Sequence, residues 1–343
     1  MKILLIRLMG LGDVASILIP AVRLVAVQHP RARIHVLTHG AGGELMSLVP
    51  GIEQVHAIDP RQWPDDIGPA VQSFLNIAEQ VAAQRFDRIV NLDTWFMPCF
   101  LARVLQELGL EVHGNTISLS TGELFRRWQA RELSQQFFED PAQYLQSSFP
   151  NMSDWTVAWW DKYPDAGAYP DFYLRHCCGL AGDLDMSLSI EPDSEFRASA
   201  QGRKIVALSM SGSGPSKQYR NAAALRSGLT QAGYFVWSQF DGSLPLRTTL
   251  ARLAATDLLV SVATSTQWLA RLVACPTLVL PGALPPSVLG AEAAVDPVVS
   301  CQYCGQNQCP RKIDFACMNV PPQDIIDRVA TRLASQQACL ASA

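Results

Sequence analysis

A short stretch near the N-terminus combines two glycines with a carboxylate directly after an apolar segment. Gly10, Gly12 and Asp13 follow the run 2–8, which is typical of a buried strand, and precede helical spacing over 17–28. Glycines in such a turn let backbone N–H groups approach a ligand, and the helix N-terminus behind them favours negative charge. Asp13 could therefore stay ionised and accept a proton from a substrate hydroxyl, or it could simply cap the helix. These residues alone leave both interpretations open.

The same turn also fits part of a dinucleotide-binding pattern, Gly10-x-Gly12-x-x-Ala15, which makes a nicotinamide-dependent oxidoreductase an alternative. That function requires an acidic residue at the end of the second strand, where it holds a ribose hydroxyl. Here the second strand ends with Leu37-Thr38-His39 and carries no carboxylate. The NAD interpretation therefore fails its own requirement.

A second candidate site is the hydroxyl-rich loop that follows the strand-like run 204–209. Its candidate ligand-binding residues are Ser211, Gly212, Ser213, Gly214, Ser216 and Lys217. Hydroxyl and backbone donors would bind phosphate oxygens, and the Lys217 ammonium would offset the charge on a nucleotide leaving group. The loop is not a Walker loop, because its spacing differs and the Lys-Ser/Thr ending is missing. An ordinary Gly/Ser turn with a solvated lysine is the alternative.

The elements that must position these loops alternate between strand-like and helix-like patterns. Strand-like runs cover 2–8, 34–37, 88–92, 204–209, 234–238, 258–262 and 276–280, and helix-like runs cover 17–28, 99–108, 222–232, 250–255 and 322–336. This order predicts parallel sheets with helices on both faces. With 343 residues the chain exceeds the usual size of a single core, so we predict two domains, 1–175 and 176–343. We interpret the aromatic stretch 121–173 as an insertion plus linker.

Composition restricts the partners and the compartment. A net charge of −4 creates no field that would gather nucleic acid, so no such partner is expected. We find no apolar stretch long enough to span a bilayer. Nine cysteines without a secretory signal indicate a reducing compartment, so we predict a soluble, cytoplasmic protein.

A group of arginines leaves attachment to a membrane surface open. Arg126, Arg127 and Arg131 are interleaved with Phe125 and Trp128. Such a segment could contact an anionic lipid-linked acceptor or lie peripherally at the inner membrane. A solvated helix face is the alternative.

The cysteines fall into two groups. Cys301, Cys304, Cys309 and Cys317 could supply four thiolates to a tetrahedral structural zinc or iron ion, with free thiols as the alternative. The other five are interpreted as buried or incidental thiols: Cys99, Cys177, Cys178, Cys275 and Cys339.

Four sequence motifs are spread over most of the chain. They are the opening Lys2-Ile-Leu-Leu-Ile-Arg-Leu-Met-Gly-Leu-Gly-Asp13-Val, the loop Gly214-Pro-Ser-Lys217, the run Ala255-Thr-Asp-Leu-Leu-Val260 leading to Thr264, and the tail Cys301-x-x-Cys304-x4-Cys309-Pro310 ending in Cys317-Met318. Through these motifs, 1–59, 204–242 and 250–328 resemble glycosyltransferase family 9, the heptosyltransferases that build the inner core of lipopolysaccharide. The resemblance implies an α/β fold of the GT-B type, with two facing Rossmann-like lobes and a cleft between them. The first lobe would bind the acceptor and the second the nucleotide-sugar donor.

The resemblance also implies the reaction. It is an inverting, metal-independent transfer of a heptose-like sugar from an ADP-heptose-like donor to an acceptor hydroxyl on a lipopolysaccharide core, another glycan or a protein. On that basis Asp13 is the general base, Lys217 binds donor phosphate, and Gly12 belongs to the ligand-binding turn. Four further residues would lie beside the donor's phosphates and sugar: Thr264, Ser265, Thr266 and Gln267. No cofactor is expected for catalysis apart from the donor itself.

One departure from the family pattern supports a different function. The family usually has Asp-Thr-Gly-x-x-His where this chain reads Ala263-Thr264-Ser265-Thr266-Gln267-Trp268. The carboxylate expected to hold sugar hydroxyls is therefore missing. A catalytically degenerate protein of the same fold, which binds a sugar nucleotide or acts as a scaffold, is the alternative. Some protein-directed heptosyltransferases resemble the cysteine arrangement of this chain and carry iron, which keeps the metal expectation open.

Overall fold

The computed structural model describes residues 1–8 and 10–341, with side-chain surroundings for those up to 336. Met9, which belongs to the opening motif, lies outside the described residues. The chain divides into two compact units. The first unit contains Met1–Trp155 and Tyr173–Asp185, and the second contains Thr156–Phe172 and Met186–Ala343. Each unit has a sheet of its own.

The first unit is built on a six-stranded sheet in the order β3-β2-β1-β4-β5-β6. Its strands are β1 (Lys2–Ile6), β2 (Arg33–His39), β3 (Ile52–Ile58), β4 (Arg88–Asn91), β5 (Val112–Ile117) and β6 (Leu145–Ser147). Its α-helices are α1 (Leu11–Asp13), α2 (Ile19–Gln28), α3 (Ala41–Met46), α4 (Ile67–Ala83), α5 (Phe96–Glu107), α6 (Thr121–Gln129), α7 (Gln135–Glu139) and α8 (Pro141–Tyr144). The first five strands are parallel, and β6 is antiparallel to β5.

The central strand of this sheet explains the apolar opening of the chain. Ile3, Leu4, Leu5 and Ile6 of β1 are at most 1% exposed, so the strand is buried on both faces. A strand buried on both faces reads as a continuous apolar run without alternation. A π-helical turn, Val14–Leu18, connects α1 to α2 and is also buried.

One helical stretch of this unit corrects the expectation that no segment could span a bilayer. Leu11–Gln28 is long and apolar enough by length and composition, with a mean hydropathy of 1.6. The core helix of a soluble protein passes the same test, and 61% of this stretch is buried within the structure. Its apolar character is therefore accounted for by burial within the structure.

The second unit contains a four-stranded parallel sheet in the order β10-β9-β7-β8. Its strands are β7 (Ile205–Ser209), β8 (Phe235–Trp237), β9 (Leu258–Val262) and β10 (Thr277–Leu280). Its α-helices are α9 (Trp159–Lys162), α10 (Ser194–Ser199), α11 (Ala222–Gln231), α12 (Leu246–Ala254), α13 (Ser265–Leu272) and α14 (Pro322–Ala341). A buried cluster joins β7, β9 and β10 to Ile325, Val329 and Leu333 of α14.

The strand orders place one reversal point in each sheet. In the first unit the chain proceeds from β1 to β2 on one side and from β4 to β5 on the other. In the second unit the corresponding reversal lies between β7 and β9. In open α/β sheets the loops at the carboxyl ends of such strands diverge and leave a crevice in which ligands bind. The loops after β1, β4, β7 and β9 are therefore the places to examine for a functional site.

The division into units differs from the predicted domains, 1–175 and 176–343. The boundary at 175 falls inside Tyr173–Asp185, which belongs to the first unit, and the aromatic segment Thr156–Phe172 belongs to the second. The physical reason is packing, because the Tyr169 N–H donates to the Val288 carbonyl at 2.8 Å and the Tyr169 ring centre lies 6.4 Å from that of Trp268. Within the segment itself, Trp159 stacks on Phe172 at 3.9 Å between ring centroids.

The interpretation of 121–173 as an insertion plus linker is only partly right. Helices α6, α7 and α8 and the edge strand β6 lie in its first half and complete the first unit. Strand β3 and helix α4 were not among the predicted runs at all. β3 is mostly half-exposed or exposed, so its sequence lacks the continuous apolar run of a central strand.

Candidate functional site

Asp13 forms an ion pair with a buried arginine at the carboxyl end of β1. Arg7 Nη2 lies 2.9 Å from Asp13 Oδ2, with the arginine side chain 3% exposed and the aspartate 30% exposed. The guanidinium also donates to the Leu92 carbonyl at 2.6 Å, and its carbon lies 5.5 Å from the centre of the Tyr173 ring. Asp13 makes no side-chain capping hydrogen bond to α1 or to the following π-helical turn. The capping interpretation is therefore wrong, and Asp13 is the accessible half of a fixed ion pair.

A second carboxylate holds this arrangement from the neighbouring strand. Asp93 follows β4, is 0% exposed, and places Oδ1 3.8 Å from Arg7 Nη1. Its Oδ2 accepts a hydrogen bond from the Leu8 N–H at 2.7 Å, and its Oδ1 accepts one from the Thr94 N–H at 3.1 Å. Asp93 therefore ties the loop after β4 to the loop after β1 at the reversal point of the sheet.

The glycines of this turn have different functions. Gly10 has φ +82°, and a Cβ there would lie 2.8 Å from Asp13 Oδ2, so a side chain at this position would displace the carboxylate. Gly12 lies in α1 and is half-buried. The π-helical turn that follows is a rare local geometry, frequently found at functional sites.

The loop after β7 is closed by backbone pairing. Ser211 and Gln218 form an antiparallel bridge, and the Lys217 N–H donates to the Gly214 carbonyl at 2.9 Å. A Cβ on Gly212 would lie 2.9 Å from the Lys217 Cβ, so glycine permits this close approach. Lys217 is half-buried, and its ammonium has no hydrogen bond or ion pair within the described part of the chain. The loop thus holds one cation that has no counter-charge among the described residues.

The other members of this loop differ in accessibility. Ser211 and Ser213 are exposed, Gly214 is half-buried, and Ser216 is only 4% exposed. The serine hydroxyls at 211 and 213 can therefore meet a ligand, whereas that of Ser216 is packed inside.

The predicted donor-binding residues Thr264 to Gln267 lie at the start of α13, next to the end of β7. The hydroxyl of Ser209, the last residue of β7, donates to the hydroxyl oxygen of Thr266 in the first turn of α13 at 2.9 Å. Gln267 is 3% exposed and donates through Nε2 to the Leu289 carbonyl at 2.6 Å. Thr264 and Ser265 remain half-exposed at the start of α13. Thr264 and Ser265 could therefore contact a ligand. Thr266 and Gln267 instead hold in place the loops that carry these two residues.

Ala263 stands where the family pattern has a carboxylate, and this alanine is packed in the interior. Ala263 is 6% exposed and Trp268 is 7% exposed, and the Trp268 ring centre lies 6.4 Å from that of Tyr169. The substitution of tryptophan for histidine therefore coincides with an aromatic contact to the segment 156–172.

The cysteine loop does not form a metal-holding group. Among the described residues, no three His, Cys, Asp or Glu side chains are gathered so that they could hold a metal ion. The Cys309 sulfur accepts backbone hydrogen bonds, the strongest from Phe315, and these lower the pKa of its thiol. Burial raises the pKa of Cys317, and the charges of Cys301 and Cys304 add to that effect. The predicted four-thiolate site is therefore not formed by these described residues, and no chemical step is derived through a metal.

The other cysteines are consistent with their interpretation as buried thiols where they are described. Cys99, Cys177, Cys178 and Cys275 are buried and unpaired. The Cys339 side chain lies outside the described residues.

The arginine group of α6 is neutralised locally. Arg126 pairs with Glu123 at 2.8 Å and with Glu132 at 3.1 Å, and Arg127 pairs with Glu123 at 2.6 Å. The hydrogen bonds from Arg126 and Arg127 to Glu123 lower the pKa of its carboxyl group to about 2, with the larger effect from Arg126. The charges of Arg126 and Arg127 are thus satisfied within the helix and its end, as on a solvated face. The exposed Arg131, which follows α6, makes no ion pair among the described residues.

Comparison with known proteins agrees with this architecture. No protein-family model and no curated protein match the chain. Its structure is similar to a glycosyltransferase family 9 protein from Veillonella parvula, with a TM-score of 0.64, 16% identity and 97% of both chains covered. It is similar to the ADP-heptose LPS heptosyltransferase II of E. coli, with a TM-score of 0.62, 16% identity, and 98% of this chain and 100% of that chain covered.

A third similar structure is the dodecameric iron-containing heptosyltransferase TibC, from enterotoxigenic E. coli, in complex with ADP-D-β-D-heptose. Its TM-score is 0.54 at 13% identity, covering 98% of this chain and 76% of that chain. At such identities the likeness establishes the fold. The resemblance to glycosyltransferase family 9 is thus confirmed at the level of the fold, and so is the predicted α/β class with two sheets.

Sequence reasoning missed two residues of the candidate site, Arg7 and Asp93. Arg7 stood inside the quoted opening motif without a function, and Asp93 stood unremarked directly after the run 88–92. The signal for Asp93 was available, because a carboxylate at the carboxyl end of a parallel strand lies beside the loops of its neighbours.

Proposed function

We propose that this protein is an inverting, metal-independent glycosyltransferase of the family 9 type. The observation that carries the proposal is the ion pair of Arg7 and Asp13 at the reversal point of the first sheet. A carboxylate fixed by a buried cation, yet 30% exposed, suits a general base that acts on a substrate hydroxyl. The likeness in fold to heptosyltransferases supports the same conclusion.

The proposed reaction is a single displacement. Asp13 accepts the proton of an acceptor hydroxyl, and the hydroxyl oxygen attacks the anomeric carbon of the donor sugar. The bond between that carbon and the diphosphate breaks, and its electron pair goes to the leaving phosphate oxygen. Lys217 and the backbone N–H groups at the start of α13 stabilise this negative charge.

The donor is proposed to bind in the second unit, between the loops that follow β7 and β9. Lys217 supplies the cation, and hydroxyls at Ser211, Ser213, Thr264 and Ser265 are accessible for phosphate or sugar contacts. The solved TibC structure is a complex with ADP-D-β-D-heptose, so an ADP-heptose-like donor is the first candidate. The acceptor hydroxyl is proposed to belong to a lipopolysaccharide core, another glycan or a protein. The enzyme is proposed to be cytoplasmic, with peripheral attachment to the inner membrane as the alternative.

A catalytically degenerate sugar-nucleotide-binding protein is the second candidate, and the buried Ala263 favours it. The two functions agree on the donor site and differ on Asp13. Both differ from an NAD-dependent oxidoreductase, since β2 ends at His39 without a carboxylate.

Binding distinguishes the proposed donor class from its alternatives. Thermal unfolding would be measured with ADP-, GDP-, UDP- and TDP-sugars and with NADH and NADPH. A ligand at about 100 times its dissociation constant adds about 2.7 kcal/mol of stability. We expect stabilisation by at least one sugar nucleotide and none by the nicotinamide nucleotides. Stabilisation by NADH or NADPH alone would refute the proposed donor class.

A further inference from the structure

One aromatic side chain of the first unit stands out from its surroundings. Trp95 is 52% exposed, whereas every other residue from Asn91 to Ala102 is buried. It is also the only exposed residue among the phenylalanines, tyrosines and tryptophans that the structure describes. No ring contact to the Trp95 indole is found within that part of the chain. A large apolar surface is therefore presented to solvent from a segment that is otherwise core.

The backbone that carries this indole is firmly held. The Trp95 carbonyl accepts a hydrogen bond from the Cys99 N–H at 3.1 Å, which closes the first turn of α5. The preceding carbonyl, that of Thr94, accepts a hydrogen bond from the buried Tyr144 hydroxyl at 2.7 Å. The exposure of Trp95 is thus a property of an ordered backbone turn, which would need little further ordering when a ligand binds.

Trp95 stands at the same reversal point as the candidate base. It lies two residues after Asp93, so the two Cα atoms are at most about 7.6 Å apart. Asp93 in turn lies 3.8 Å from Arg7, whose guanidinium pairs with Asp13. The exposed indole of Trp95 and the accessible carboxylate of Asp13 therefore both lie at the carboxyl ends of β1 and β4, connected through Asp93 and Arg7.

We propose that Trp95 is the platform on which a saccharide ring of the acceptor stacks while Asp13 takes the proton from one of its hydroxyls. This inference rests on the proposed function and narrows its acceptor to a glycan, in place of a protein side chain. A pyranose has one face lined by C–H groups, which packs against an aromatic ring, and a rim of hydroxyls, which remain free for a carboxylate. A serine or threonine side chain has no such face and would leave the indole uncovered.

Fluorine NMR of protein labelled with 5-fluorotryptophan tests this directly. Methyl α-D-mannopyranoside is the saccharide probe, N-acetylserinamide is the protein-like probe, and Trp95→Phe identifies the Trp95 resonance by its loss. We expect a saturable shift of that resonance with the glycoside and none with the serinamide. An unchanged resonance with the glycoside, or an equal shift with the serinamide, would overturn the proposal.

Variants of the same residue separate stacking from folding. With binding measured by saturation-transfer NMR of the glycoside, its dissociation constant is expected to rise by at least about tenfold in Trp95→Ala. In Trp95→Phe it should rise by less than about threefold, because phenylalanine keeps an aromatic face. Equal losses in both variants, with unchanged thermal unfolding, would also overturn it. The matched control is Val27→Ala, which removes a 78% exposed apolar side chain near the end of α2, away from the strand ends that carry the site.

Binding of the glycoside at Trp95 can be tested independently of catalysis. Asp13→Asn should retain the shift of the Trp95 resonance. A retained shift in a protein that never cleaves a sugar nucleotide would reject the proposed function alone. Cleavage of a sugar nucleotide without any glycoside effect at Trp95 would reject this inference alone.

Discussion

The guanidinium of Arg7 lies 2.9 Å from the carboxylate of Asp13, and the two differ tenfold in exposure, 3% against 30%. The buried partner is anchored by the Leu92 carbonyl, and Asp93 lies 3.8 Å from it. Arg7 cannot move without breaking those contacts. The position of the Asp13 carboxylate is therefore set by the protein. A substrate therefore meets a carboxylate that is already oriented.

Removing the cation tests this orientation. Arg7→Met keeps much of the side-chain volume and removes the ion pair, so we expect turnover to fall by about 10- to 100-fold. If Arg7 acts through Asp13, the double variant with Asp13→Asn should be no slower than Asp13→Asn alone. Steady-state rates of nucleotide release would be compared among the variants.

The control for that experiment is Arg23→Met, which breaks an ion pair to Asp185, a carboxylate that is 58% exposed. We expect it to retain turnover. Additive losses from Arg7→Met and Asp13→Asn would contradict a positioning function for Arg7 and indicate a general structural one.

Asp93 is expected to matter for stability. Asp93→Ala removes a fully buried carboxylate, which leaves Arg7 without this partner and the Leu8 and Thr94 N–H groups without acceptors. Breaking a buried pair in this way costs about 3 to 5 kcal/mol. The free energy of unfolding would be measured in denaturant, with Asp183→Ala as control, since that side chain is fully exposed. Equal stability of the two variants would refute the bridging function of Asp93.

Lys217 is expected to determine the affinity for the donor. Lys217→Ala removes a cation that has no counter-charge in the described part of the chain, so folding should change little. Binding of a nucleoside diphosphate should weaken by about 10- to 100-fold, as for a lost hydrogen bond to a charged group. Calorimetric titration with ADP would measure this. Lys312→Ala, at an exposed lysine of the cysteine loop, is the control. An unchanged affinity in Lys217→Ala would remove Lys217 from the site.

Acid sensitivity should arise in the first unit, away from the candidate site. Burial, with smaller contributions from Lys2 and His56, lowers the pKa of His35 to about 4, whereas the unfolded chain has the ordinary value near 6.5. Between these values the unfolded state binds more protons, so stability falls as the pH drops from about 6.5 to 4, by up to about 3 kcal/mol.

The His35 effect can be isolated by substitution. His35→Leu should flatten the pH dependence of thermal unfolding over that interval. Part of the pH dependence should remain, because burial also lowers the pKa of His56. His113→Gln is the control, because His113 is 47% exposed and paired with Glu111. An unaltered pH dependence in His35→Leu would contradict this assignment.

The sequence predicts the strands of both sheets because most of them are buried on both faces. The runs around β1, β7 and β9 consist of residues that are almost completely excluded from water, and such runs stand out without any long-range information. β3 escapes this reasoning because its side chains are partly exposed. Local patterns identify a strand by its burial, so an exposed strand at the sheet edge gives a weak signal.

The candidate site was predictable in part. Asp13 and Lys217 follow buried strands in glycine-bearing turns, which the chain shows directly. Arg7, Asp93 and the exposure of Trp95 depend on β1 and β4 being neighbours, a pairing between segments 85 residues apart. No local pattern contains that pairing. The same reason explains the division into units, because the segment 156–172 is assigned by contacts with distant residues.

The central claim is that Asp13 is the base of a sugar transfer. The most direct measurement is release of nucleoside diphosphate from the sugar nucleotide that binds best, compared between the unaltered protein and Asp13→Asn. Loss of a general base lowers the rate by about 10²- to 10⁴-fold, and we predict that loss together with unchanged donor affinity. Equal rates in the two proteins would contradict the account.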